Sequence, residues 1–105
     1  MERTQASAAI QALPKRAGGD EKELLRVVDA VIDYISKQGC RYFVGPFETT
    51  IEGDAETLWK ILKGAEEVCY QEGSDEVALY IKFASNRKKG VLGIEEKTSK
   101  FAGRF

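Results

Sequence analysis

Cys40-Arg41-Tyr42-Phe43-Val44-Gly45-Pro46-Phe47-Glu48-Thr49-Thr50-Ile51-Glu52-Gly53 is the stretch on which the fold turns. Cys40 to Val44 alternates in the manner of a strand, with Tyr42 and Val44 on one face and Arg41 and Phe43 on the other. Gly45-Pro46 is a short breaker, and Phe47 to Glu52 resumes with the β-branched run Thr49-Thr50-Ile51, which suits a pleated surface. Two such runs across a short turn predict an antiparallel hairpin. Gly53-Asp54 then breaks the chain.

Downstream, Asp54 is placed to cap a helix whose apolar stripe is Leu58, Ile61, Leu62, Ala65 and Val68-Cys69, with Trp59 at its edge and Gly73 at its end. Val77 to Phe83 predicts a fourth strand, with Val77, Leu79, Ile81 and Phe83 on one face and Ala78, Tyr80 and Lys82 on the other. Asn86 to Gly93 reads as a loop carrying Arg87, Lys88 and Lys89. Ile94 to Phe101 reads as a short final helix, and Gly103-Arg104-Phe105 as a loose end. Upstream, Arg3 to Leu13 predicts a first strand, with Ala6, Ala8, Ile10 and Ala12 on one face; Pro14 is expected to end it. After the Lys15–Gly19 loop, Asp20 with Glu23 forms a capping-box pattern. Leu24, Leu25, Val28, Val31, Ile32 and Ile35 recur at helical spacing until Gly39.

The order strand, helix, strand, strand, helix, strand is the split βαβ pattern. It predicts an α+β, ferredoxin-like βαββαβ sandwich: one domain over residues 1–105 with a four-stranded antiparallel sheet, helices on one face and a short C-terminal helix. Right-handed crossovers set the expected strand order at 4-1-3-2. The helix-facing side is expected to take Ile10, Val44, Ile51, Leu79 and Ile81. The open side is expected to take Ser7, Ala9, Gln11, Phe43, Thr50 and Tyr80. That open side has fewer charges than a face bathed in water, and a domain of 105 residues has little surplus core. Both point to association with other copies through the sheet.

Composition removes several functions. The net charge of −1 provides no basic field for nucleic acid. No apolar run reaches the ~20 residues of a membrane span. The polar start, Met1 to Gln5, lacks a signal-peptide core, so the expected location is cytoplasmic. The chain has no histidine, which removes Ser-His and Cys-His pairs and imidazole metal ligands. Cys40 and Cys69 cannot form a structural zinc site by themselves and read as small apolar residues. No metal and no resident cofactor is expected.

Arg41-Tyr42-Phe43-Val44-Gly45-Pro46 followed by Thr49-Thr50-Ile51-Glu52-Gly53 resembles the YkoF-like thiamine-binding family. Ile10 to Pro14, Ala65-Glu66-Glu67 through Gly73-Ser74, and Ile94-Glu95-Glu96-Lys97 to Lys100 extend the resemblance over nearly the whole chain. The chain departs from the family pattern in the Lys15–Gly19 loop, at Glu48 and over Ala84-Ser85-Asn86-Arg87, positions that bear on ligand choice. The resemblance implies a ferredoxin-like domain that binds thiamine or its hydroxymethylpyrimidine half without converting it. It also implies a homodimer or homotetramer built through sheet contacts.

An aminopyrimidine and a cationic thiazolium need an apolar slot and a few fixed polar groups. Tyr42 or Phe43 is a candidate to stack on a ring, and an aromatic face also holds a cation. Thr49 and Thr50 offer hydroxyls, and being adjacent they face opposite sides of the sheet; Thr49 is preferred because it matches the family motif. Glu48 or Glu52 is a candidate acceptor for the exocyclic amine, and Ser7 with Gln11 completes the candidate set. Each of these residues also has a structural reading: core for Tyr42, strand propensity for the threonines, a strand end or helix cap for Glu52. Two other functions compete. One is a self-assembling interaction module without a ligand. The other is an enzyme using Glu48 and Glu52, which on a strand would stand ~13 Å apart, too far for paired carboxylates.

Overall fold

A computed structural model describes residues 3–101 of the chain. The elements run β1 (Ala6–Lys15), α1 (Glu21–Ser36), β2 (Arg41–Val44), β3 (Thr49–Gly53), α2 (Ala55–Gln71), β4 (Glu76–Ser85) and α3 (Ile94–Thr98), closed by a 3₁₀ turn over Ser99–Phe101. The sheet order β2-β3-β1-β4 is the expected 4-1-3-2 read from the other edge, and every neighbouring pair is antiparallel. The Gly103–Phe105 end lies outside the described residues.

Directly opposed residues in an antiparallel ladder share a face. Tyr42 opposite Ile51, Ile51 opposite Ala8 and Ala8 opposite Phe83 therefore form one row across the helix-facing side. Val44, Thr49, Ile10 and Ile81 form the next. Small alanines at positions 6 and 8 let the helices sit close to the central strand. The core closes around Ile10 and Ile51 with Val27, Val31 and Ile35 of α1 and Leu58, Ile61, Leu62, Ala65 and Cys69 of α2. Leu58 and Leu62 are fully buried, worth about 1.5–3 kcal/mol each against exposure. The helices meet where Gly64 lies against the Tyr34 ring; a Cβ at Gly64 would collide with the Tyr34 hydroxyl. Asp20 and Asp54 cap α1 and α2, accepting from the Glu23 and Thr57 amides at 2.9 and 3.0 Å.

The structure corrects several sequence expectations. β1 begins at Ala6 and continues through Pro14, opposite Val77, to Lys15. β3 leaves β1 after Ile10, so the N–H that Pro14 lacks had no strand to reach. α1 buries Val27, absent from the expected stripe, and leaves Leu24 and Leu25 exposed, Leu25 by 54%. β3 starts at Thr49, with Phe47 in the turn and 78% exposed. The final helix is a single α turn that continues as 3₁₀. Among the described residues, no helix is long and apolar enough to cross a membrane.

Candidate functional site

The open face is built from rows of opposed residues. One row runs Phe43, Thr50, Ala9, Lys82 across all four strands, and the next runs Arg41, Glu52, Ser7, Ala84. Ser7 and Ala9 are buried although both long helices lie on the opposite side of the sheet. They share a groove with Ile94, Lys97 and Thr98 of α3.

Glu52 explains how so short a helix reaches the sheet. Its Oε2 accepts the Ile94 amide at 2.8 Å, satisfying an N–H that the first turn cannot pair internally. Arg41 stands 3.7 Å from Glu52 Oε1 and donates to Glu95 of α3 at 3.2 Å. Gly93, just before α3, leaves the space that the Glu52 carboxylate occupies. Glu52 is thus neither a solvated strand end nor a cap on α2; it fastens α3 over the second row.

The opposite wall is ionic. Glu48, just before β3, pairs with Lys82 of β4 at 3.1 Å. The two strands flank β1, so this bridge passes over β1 where Ala9 presents only a methyl group. Between the bridge and α3 lies a groove of about 320 Å³ lined by Ser7, Ala9, Phe43, Glu48, Thr50 and Lys82, with Ala84 and α3 completing it. That volume is at the small end of small-molecule sites.

Of the residues singled out from the sequence, the structure brings Ser7, Phe43, Glu48 and Thr50 together here. Gln11 shares their face but lies one row further, opposite Tyr80, and borders a different depression beside α1. Tyr42 and Thr49 point to the helix-facing side, Tyr42 half-exposed at the edge and Thr49 buried next to Val44 and Ile10. Sequence reasoning missed Lys82 and the three α3 residues. Lys82 was legible, because strand alternation puts it beside Tyr80 on the open face. The α3 residues had no local signal, because the groups that dock that helix, Glu52 and Arg41 among them, lie far away in the sequence.

The groove can hold a flat ring over the Ala9 methyl. One wall is the Phe43 ring, and the hydroxyls of Ser7 and Thr50 can donate or accept. Glu48 supplies an acceptor and Lys82 and Lys97 supply donors.

Comparison with known proteins agrees with this architecture. A family model described as thiamine-binding protein matches residues 8–102. A UPF0045 protein of Clostridium perfringens is 37% identical over 95 residues, 90% of this chain and 95% of that protein. A Bacillus cereus structure of a domain of unknown function, DUF77, superposes with a TM-score of 0.84 at 31% identity, covering 97% of this chain and 94% of that one. The structure of a candidate thiamine biosynthesis or salvage protein from Thermotoga maritima gives a TM-score of 0.77 at 29% identity, covering 91% and 97%.

Proposed function

The chain belongs to the thiamine-binding protein family, and from that premise we propose that its open-face groove binds thiamine or the hydroxymethylpyrimidine half of thiamine without converting it. The observation that carries the reading is the convergence of Ser7, Phe43, Glu48 and Thr50 on one groove, walled by α3 on one side and by the Glu48–Lys82 bridge on the other. The aminopyrimidine lies against Phe43. Its exocyclic amine donates to Glu48, and its ring nitrogens meet the Ser7 and Thr50 hydroxyls. Thr50, not Thr49, is the threonine of the site, because only Thr50 faces the groove.

A non-catalytic role fits these groups. The chain holds no histidine, so neither hydroxyl has an imidazole to activate it. Cys40 and Cys69 are free thiols. Burial pushes both up from the ordinary thiol value, away from nucleophilic use. Two free thiols also suit a reducing compartment, and the proposal includes a cytoplasmic location. It further includes a homodimer or homotetramer assembled through the sheet, where Phe43 and Tyr80 remain exposed.

Titration calorimetry with thiamine and with hydroxymethylpyrimidine tests the reading. Saturable heat with either, lost in Phe43→Ala, is the expected result. No heat and no thermal shift with either ligand at millimolar concentration removes the proposal.

A further inference from the structure

Among the described residues, the charged side chains that line the open-face groove are Glu48, Lys82 and Lys97. Glu48 and Lys82 balance each other at 3.1 Å. Lys97 stands exposed on the α3 wall, and among the described residues no carboxylate pairs with it. Nearby acids are turned elsewhere: Glu52 and Glu95 share Arg41, and neither they nor Glu96 line the groove. One carboxylate and two ammonium groups leave the groove with a positive excess. Lys97 is also anchored at its root. Its amide donates to the Gly93 carbonyl at 3.2 Å, and Gly93 lies against the Glu52 carboxylate that fastens α3 to the sheet.

The aminopyrimidine carries its amine and its methylene on neighbouring ring carbons. With the amine on Glu48, the methylene substituent falls beside Lys82, the neighbour of Glu48 in the ion pair. That substituent is what separates the members of the ligand class. In hydroxymethylpyrimidine it is a neutral hydroxyl. In the phosphate ester it carries about −1.5 to −2 charge at neutral pH. In thiamine it is the cationic thiazolium, and Phe43, the ring that lines this face, is already covered by the pyrimidine. The methyl groups of Ala9 and Ala84 leave room on the floor of the groove. Lys97 can then approach the substituent from α3 while Lys82 approaches from β4. Two ammonium groups on a phosphate make charge-assisted hydrogen bonds; beside a thiazolium they repel.

We infer that Lys97 is the specificity-determining residue of the groove and that the ligand it selects is the phosphate ester of hydroxymethylpyrimidine, ahead of the free alcohol and with thiamine last. This rests on the reading of the groove as a pyrimidine site and deepens it by ranking the ligands by the charge on one carbon. Glu48 and Lys82 read the amine and its neighbour on the ring, and Lys97 supplies the unbalanced charge that sets the order.

Titration calorimetry of the full chain in phosphate-free buffer, with hydroxymethylpyrimidine, its phosphate ester and thiamine, tests the order. The ester should bind ~10-fold or more tightly than the alcohol, and the gap should narrow as salt rises. Lys97→Gln should shrink the ester-to-alcohol ratio to ~3-fold or less, the part that Lys82 supplies alone. Lys97→Arg should restore the ratio, and Lys97→Glu should reverse the order so that thiamine binds more tightly than the ester. An alcohol that binds while the ester binds no better, or thiamine that outbinds both in the unaltered chain, overturns the inference and leaves the pyrimidine site standing. A ratio unchanged in Lys97→Gln also overturns it, by placing the recognition of phosphate on other cations such as those of Arg87, Lys88 and Lys89. Heat from none of the three ligands removes the pyrimidine site, and this inference with it.

Discussion

Gly93 lies so close to Glu52 that a Cβ on it would stand 2.6 Å from Oε2. The contact couples the sheet to α3, since that same oxygen accepts the Ile94 amide and the Glu52 side chain is only 11% exposed. Glu52→Ala should cost about 1–3 kcal/mol in urea unfolding, the price of leaving a sheltered N–H unpaired. Gly93→Ala should release α3 by displacing the carboxylate. Both should accelerate hydrogen exchange at the Ile94 amide, whereas Glu52→Gln, which keeps an acceptor, should preserve most of the protection. Unchanged exchange in Glu52→Ala would show that α3 is held by other contacts.

Adjacent threonines provide a sharper test of which face binds. Thr50 opens on the groove and Thr49 is buried on the helix side. Thr50→Val keeps the shape and removes the hydroxyl, and should weaken hydroxymethylpyrimidine about 3–10-fold, the worth of one neutral hydrogen bond. Thr49→Val should leave affinity unchanged. Calorimetry on the two variants distinguishes them, and the reverse pattern would move the site to the other side of the sheet.

Period-two alternation made the open face legible from the sequence. Once Ser7, Phe43 and Thr50 were assigned to strands, their common side followed without knowledge of any contact. The burial pattern of α1 was not legible in the same way. Its apolar residues form a stripe broad enough for several rotations, and Val27, Val31 and Ile35 are the ones that join the core shared with β1 and α2. Leu24 and Leu25 were left outside. Pro14 misled for a related reason: a proline stops a strand only where its missing N–H would have had a partner. The position of α3 depends on Glu52 and Arg41, more than forty residues upstream, and no local pattern carries that information.

Acid should act on the cap of α2. Hydrogen bonding from the Thr57 side chain, and next from the Thr57 amide, holds the Asp54 carboxyl below the ordinary value of 3.8. A lowered folded value means that the stabilisation is complete above the unfolded value and disappears as pH falls through the folded one. Asn caps nearly as well as Asp but does not titrate. The melting temperature of Asp54→Asn should therefore fall less steeply than wild type as pH drops below about 4. Parallel curves would mean that the cap contributes nothing specific to acid sensitivity.

Trp59 stacks on Phe83 with ring centroids 4.2 Å apart and planes inclined by 14°. It is the sole tryptophan, half-exposed on α2, and Phe83 lies on the helix-facing side of β4. The pair therefore ties the helix to the edge strand, where Phe83 packs against the core. A double-mutant cycle with Trp59→Leu and Phe83→Leu should return a coupling of about 0.5–1.5 kcal/mol, the part of an aromatic pair that burial alone does not supply. The two substitutions should be additive only if the stack is incidental. Phe83→Leu should also shift the tryptophan emission to the red, because the indole loses the ring that shields one of its faces. An unchanged spectrum would place Trp59 away from the strand in solution.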